Sequence, residues 1–330
     1  MSQHFQTVVL VGLGNVGFPS SSRRQSLLVP NSHYLTHFEA IKEDPSFSLL
    51  AAVDSDIKAA TRYQEETFEP TFTSIKEVSI RESLSLVVVA ASTSSHFEIV
   101  KSVLNSWKPK YVLCEKPLGL NAQESVNIRE EVTSSGAVLF SGYFRHRFFE
   151  YVELRDRILN GYFGRVVEAR VLYGQDLLIN GCHFIHLLLF LTSSRRIYET
   201  KYLSGSIDNP TFIFSSDQIE KVLVIGHDQK KLRVGEIHLY MEFGYVKISN
   251  GGSIIESSLN LSSQYRWRDP QSRTLHVDLT KGLSLIYRDI KLHKDGSTAN
   301  EFSETLVTDQ AILTQAIIQS TKEDFSSGNQ

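Results

Sequence analysis

Three short stretches of the 330-residue sequence carry side chains at spacings suited to chemistry: GLGNVG (12–17), CEKPLG (114–119) and NGCHFIH (180–186). The first has the G-x-G-x-x-G spacing directly after an apolar run. Gly12 permits a tight turn, Gly14 lets the backbone approach a pyrophosphate, and Gly17 allows close helix–strand packing. Asn15 and Val16 complete the loop that would hold a dinucleotide, although a purely structural glycine turn has the same spacing. The next apolar run ends in Asp54, a carboxylate placed to accept both hydroxyls of an adenosine ribose and to repel a 2′-phosphate. NAD(H) is therefore expected ahead of NADP(H). Arg23 and Arg24 are either solvated or able to dilute that preference.

In the second stretch Lys116 stands at the carboxyl end of a strand-like run, where ligands bind in open α/β sheets. A partly desolvated amine there can exchange a proton with a substrate hydroxyl, with Glu115 orienting it. A surface Lys–Glu pair before a helix would read the same way. The Lys116–Pro117 bond is expected to be cis, because only X–Pro bonds adopt cis at modest cost. In the third stretch His183 and His186 lie three residues apart, on one face of a helix. His183 is either a proton-transfer group or a polar residue absorbed into a core helix. H-x-x-H beside Cys182 is also a fragment of a metal site, but no partner cluster supplies the three or four ligands zinc needs. No metal is expected.

The elements that must position these residues follow from periodicity. Short apolar runs at 7–12, 48–54, 84–91, 111–116 and 137–142 fit strands buried on both faces. Amphipathic stretches at 33–44, 94–107 and 121–136 fit helices between them, with Ser94 or Ser95 and then Asn121 as N-caps. Such alternation means βαβ units and a parallel sheet. One more helix is read at 148–164. From Gly164 to Leu292 the runs alternate polar with apolar, as in an antiparallel sheet with one covered face, and FGY (243–245) marks a tight turn. A last amphipathic helix is expected at about 306–322.

The fold class is thus α/β: an N-terminal Rossmann parallel sheet and a C-terminal α/β domain with an open, largely antiparallel sheet. The domains are drawn at 1–145 and 146–330, the terminal helix packing back.

A net charge of −3 gives no nucleic-acid or anionic-membrane signature, and two distant cysteines do not make a disulfide framework. With no basic leader and no spanning run, the reading is cytoplasmic. Apolar residues of YVKI (245–248) and SLIY (284–287) on the uncovered sheet face suggest a homodimer or homotetramer through the C-terminal sheet.

The order of these features — glycine loop, Asp54, S-T-S-S-H (92–96), E-K-P, then GYFRHRFF (142–149) — resembles the glucose–fructose oxidoreductase/inositol dehydrogenase (Gfo/Idh/MocA) family. The segment at 18–32 and NGCHFIHLLLFL resemble a branch associated with surface-polysaccharide sugars. The resemblance implies an NAD(H)-dependent oxidoreductase that moves a hydride to or from a hydroxyl or keto carbon of a sugar, sugar nucleotide or cyclitol. It implies Lys116 beside the substrate hydroxyl and His96 near the nicotinamide. Ser92 and Glu115 join the cofactor-binding set, and Arg145, Asn180 and His186 the substrate set.

His183 matches the histidine of the family's D-x-x-x-H element, but Ile179 replaces the aspartate and His186 an acidic position. His183 and Lys116 would then share the proton, or Asp176 would reach in. Two alternatives stay open: a non-catalytic NAD-binding sensor or scaffold of the same fold, and a lyase or hydrolase using bound NAD transiently.

Overall fold

The structure, a computed structural model, describes residues 6–19, 36–80, 83–229, 233–259 and 271–293. Arg23, Arg24 and the expected helix at 306–322 lie outside the described residues. The chain forms two compact units; among the described residues one runs to Phe144 and resumes at Thr280, and the other spans Arg145–Leu279.

The first unit is built on a six-stranded parallel sheet. Its strands are β1 (Gln6–Val11), β2 (Phe47–Val53), β3 (Thr71–Phe72), β4 (Leu86–Val89), β5 (Tyr111–Cys114) and β6 (Val138–Ser141), in the order β3-β2-β1-β4-β5-β6. β4 and β5 are buried throughout, which is why they read as unbroken apolar runs. Helices α1 (His37–Glu43), α2 (Ile57–Thr67), α3 (His96–Trp107) and α4 (Ala122–Ser134) connect the strands.

Thr36 and Glu39 form a capping box on α1, and Asn121 accepts the Glu124 N–H at the start of α4. Ser95 precedes α3 without a side-chain cap bond, because a short 3-10 turn at Thr93–Ser95 leads into that helix. Neither α2 nor the two-residue β3 was anticipated. α2 has few apolar positions and relies on Asp56, whose carboxylate accepts the Lys58 N–H.

One expectation is overturned. The alternation to Leu292 predicts strand, yet Gly282–Leu292 is a helix, the seventh in chain order and labelled α7. Its buried residues Leu283, Ile286, Tyr287 and Ile290 fall at intervals of three, one and three, a helical stripe rather than an alternation. They join the core of the first unit with Val8, Leu10, Phe47 and Leu113. SLIY is therefore not part of an open sheet face.

The second unit holds α5 (Phe149–Leu159), α6 (Cys182–Thr192) and an eight-stranded sheet. The strands are β7 (Val166–Gly174), β8 (Ile197–Gly205), β9 (Pro210–Ser216), β10 (Val222–His227), β11 (Gly235–Met241), β12 (Gly244–Ser249), β13 (Ile254–Leu259) and β14 (Gln271–His276), in the order β14-β13-β12-β11-β7-β10-β9-β8. All pairings are antiparallel except β7 with β10. Met241 pairs with Gly244, so Glu242 and Phe243 make the tight turn that FGY marked.

Alternation sends Ile237, Leu239, Val246 and Ile248 inward. Tyr240 and Tyr245 remain exposed on the other face, beside the Arg170–Glu168 and His238–Glu236 ion pairs. YVKI thus exposes its tyrosine and buries its valine and isoleucine. The apolar helix α6 is buried all round from Phe184 to Thr192, as a helix without a polar face must be.

Candidate active site

A crevice of about 690 Å³ opens at the carboxyl ends of β1, β2 and β4. Gly12, Gly14, Asn15, Val16, Asp54 and Ser92 all line it, as do Thr73, Ser74, Lys76 and Ser95. The glycines differ in what they avoid. A Cβ on Gly12, which has φ of +100°, would meet the Ala90 carbonyl carbon at 2.5 Å, and one on Gly17 would stand 2.0 Å from the Gly12 oxygen. These two glycines satisfy the fold itself. A Cβ on Gly14 would touch nothing within 4 Å. Its lack of a side chain serves no packing need; it leaves the crevice open where a pyrophosphate would lie.

Asp54 sits one residue beyond β2. Its Oδ2 accepts the Leu13 N–H at 2.7 Å and its Oδ1 accepts the Asp56 N–H at 2.9 Å. A carboxylate has about four acceptor sites, so capacity remains for ribose hydroxyls. The residues present therefore fit a dinucleotide. Thr73, Ser74 and Lys76 escaped the sequence reading because they follow the short β3. The one available signal was the capping box S-I-K-E, which Ser74 and Glu77 do form.

The E-K-P turn follows β5. The Lys116–Pro117 bond is cis and Lys116 is half-buried. Glu115 is buried, its Oε1 3.0 Å from His37 Nε2 and its Oε2 accepting the Lys116 main-chain N–H at 3.1 Å. Burial pushes this carboxyl up. The hydrogen bond from His37, the charges of His37 and Lys116, and the Lys116 N–H outweigh that and hold it below the usual carboxylate range. The Cys114 thiol is pushed up, first by burial and then by Glu115, so it is no thiolate nucleophile. His96 is buried, with Nδ1 3.0 Å from the Leu118 oxygen and Nε2 3.1 Å from the Ala91 oxygen. Its ring bonds to backbone beside the crevice, while Ser92 and Ser95, joined through their hydroxyls at 3.0 Å, line the crevice itself.

In the second unit a five-residue π-turn, Leu177–Gly181, runs directly into α6. Asp176 caps it, Oδ1 accepting the Leu178 and Ile179 N–H groups at 2.7 and 3.1 Å. Asn180 donates to the Gly174 oxygen at 2.8 Å, fastening the turn to the end of β7. His183 is half-buried in the first turn of α6.

His186 is buried, its ring 4.9 Å from that of His146. Burial, then Arg147 and Arg145, push its imidazole down to about 3, so it stays neutral. Arg145 is buried too; it donates to the Gly251 oxygen at 3.2 and 2.9 Å and stacks 5.1 Å over the Phe184 ring. The geometry of Arg145, Asn180 and His186 ties each to the packing of this unit. Among the described residues no group of three or more His, Cys, Asp or Glu could hold a metal ion, and no helix is long and apolar enough to cross a membrane.

A parallel sheet ordered 3-2-1-4-5-6, a glycine loop after its first strand and a carboxylate after its second define a dinucleotide-binding Rossmann unit. Residues 7–143 match the model of the oxidoreductase family with NAD-binding Rossmann fold, GFO_IDH_MocA. A myo-inositol dehydrogenase, Hyg17, of Streptomyces leeuwenhoekii is 26% identical over 165 residues, 50% of this chain and 45% of that protein. The match thus spans less than half that relative's length.

Two solved structures share the fold across both units. KijD10, a 3-ketoreductase from Actinomadura kijaniata in complex with NADP and TDP-benzene, has a TM-score of 0.71 at 13% identity, covering 96% of this chain and 98% of that one. The WlbA dehydrogenase from Bordetella pertussis, in complex with NADH and UDP-GlcNAcA, has a TM-score of 0.72 at 16% identity and covers 97% of each chain.

Proposed function

We propose that this protein is an NAD(H)-dependent oxidoreductase acting on a hydroxyl or keto carbon of a sugar, sugar nucleotide or cyclitol. The observation that carries the reading is the crevice whose wall at Gly14 is left open without any packing reason, with Asp54 held at its rim. Gly12, Gly14, Asn15, Val16 and Gly17 would hold the pyrophosphate segment and Asp54 the adenosine ribose; Ser92 lines the same wall. Nicotinamide dinucleotide supplies hydride transfer when bound. Lys116, directly after β5, would exchange the hydroxyl proton, and His183 would be a second proton-handling group. The names of the relatives support this substrate range: one is an inositol dehydrogenase, and two fold neighbours were solved with nucleotide-linked ligands. The negative charge at Asp54 supports NAD(H) over NADP(H), whereas Lys76 in the same crevice works against it.

A screen for NADH formation or consumption against cyclitols, sugars and UDP-sugars tests the assignment. Turnover of any of them supports it. NADH binding with no turnover supports the second reading, a non-catalytic NAD-binding sensor. That reading has its own observation: Ile179 stands 63% exposed where the family resemblance calls for aspartate, and Asp176 is taken up as a cap. Self-association is proposed through the outer sheet face bearing Tyr240 and Tyr245; light scattering at micromolar concentration checks it.

A further inference from the structure

Glu115 is a buried charged group of the first unit that no proposed proton step uses. A carboxylate loses much of its hydration when buried and is tolerated only if other groups replace it. Here three do. His37, the first residue of α1, presents Nε2 to Oε1, and the Lys116 N–H bonds Oε2. On the far side of the imidazole, Nδ1 lies 3.0 Å from the Tyr287 hydroxyl, on α7. An ionised carboxylate only accepts, so Nε2 carries the proton toward Glu115. The other ring nitrogen shares its bond with Tyr287, whose phenol is pushed well up by burial and then by Glu115.

The result is one hydrogen-bonded chain linking Tyr287, His37 and Glu115, closed by the N–H of Lys116. His37 is fully buried, and the carboxylate lies in the space that a Cβ on Gly142 would fill, 2.6 Å from Oε2. On the other side of the cis bond the Leu118 oxygen is bonded to His96.

We propose that His37 and Tyr287 are positioning residues for Lys116, acting through Glu115. The main chain at Lys116 leaves β5 and has its direction fixed by a carboxylate whose own orientation is set from α1 and α7. α1, whose first N–H bonds the Val16 oxygen, and α7 thus set the main-chain position from which the lysine stem departs. This rests on the reading of Lys116 as the proton-exchange group, and the test separates the two.

The substitutions are His37→Leu, which removes both ring nitrogens, His37→Gln, whose amide can still donate to Glu115, and Tyr287→Phe. Two readouts are taken on the folded protein. One is the rate at which acetic anhydride labels Lys116, measured by mass spectrometry of its peptide against surface lysines such as Lys58. The other is kcat, KM and NADH affinity with the substrate that the NADH screen identifies. His37→Leu is expected to change Lys116 labelling and to lower kcat, each about tenfold, with KM and NADH affinity within about twofold, and His37→Gln to recover most of both. Tyr287→Phe is expected to show the same split in smaller measure.

Labelling and kcat within about twofold of wild type in folded His37→Leu overturn the proposal; should that variant not fold, the same result in Tyr287→Phe does so. Activity surviving in Lys116→Met instead overturns the proton-exchange reading, and the labelling rates still decide whether His37 positions the amine.

Discussion

The main-chain N–H of Leu13 donates to Asp54 Oδ2 across 2.7 Å, so the loop that would cradle a pyrophosphate and the carboxylate that would hold a ribose are fixed to each other. Asp54→Ser is expected to weaken NADH binding by roughly 10- to 100-fold, the worth of a charge-assisted hydrogen bond or two, and to weaken NADPH binding less. Isothermal titration with both cofactors measures it. Wild-type protein binding NADPH as tightly as NADH would show that Lys76 or another cation outweighs the carboxylate.

The glycines of the loop should separate folding from binding. Gly14→Val places its side chain in open crevice and is expected to leave the melting temperature nearly unchanged while NADH affinity falls at least about tenfold. Gly17→Ala drives a methyl into the Gly12 carbonyl and is expected to cost about 1–3 kcal/mol of stability. Thermal melts and NADH fluorescence titrations on the two variants suffice. Gly14→Val with native affinity would mean that no ligand approaches that backbone.

Lys116→Met keeps the stem and removes the amine. NADH binding is expected to persist while kcat falls by roughly 10²–10⁴-fold, the range for a lost general acid–base group. Single-turnover rates distinguish this from slow product release. Activity within a few-fold of wild type would make Lys116 a structural residue of the turn.

The two histidines of α6 should part company. His183→Asn is expected to lower kcat by roughly 10²–10⁴-fold and to keep the fold, because the side chain is only half-buried. His186→Asn should chiefly cost stability.

A pH titration gives the sharper test of His186. Its folded imidazole sits at about 3, below the roughly 6.5 of an unfolded histidine, so acid favours the unfolded chain between those values. Stability is therefore expected to fall as pH drops from about 6.5, by about 1 kcal/mol per pH unit from His186 alone, with His146 adding to it. Urea unfolding at pH 7, 6 and 5 should show the slope, and His186→Phe should flatten it. An unchanged slope would place the protonation elsewhere.

Much of the first unit was determined by sequence alone, because its signals are local. A parallel strand buried on both faces must be a short apolar run, a glycine loop must carry its glycines at fixed intervals, and a carboxylate ending the second strand is visible wherever that strand is. Hence Gly12, Gly14, Asn15, Val16 and Asp54 are legible in the sequence and line one crevice, together with Ser92, which the family resemblance added. The helix Gly282–Leu292 was misread although its 3.6-residue stripe was present, since four consecutive residues, SLIY, also satisfy a strand pattern.

What tertiary structure decided is which groups meet. His37 and Tyr287 are separated by 250 residues and share one hydrogen bond, and no spacing rule relates them. Asp176 was within four residues of Asn180 in any reading, but only the folded turn shows its Oδ1 accepting two backbone N–H groups. His183 and His186 share a helix face by spacing, and only the packing around α6 makes one half-open and the other dry. Periodicity fixes the direction in which a side chain leaves its own element; the partner it finds there belongs to another part of the chain, and burial then decides its charge.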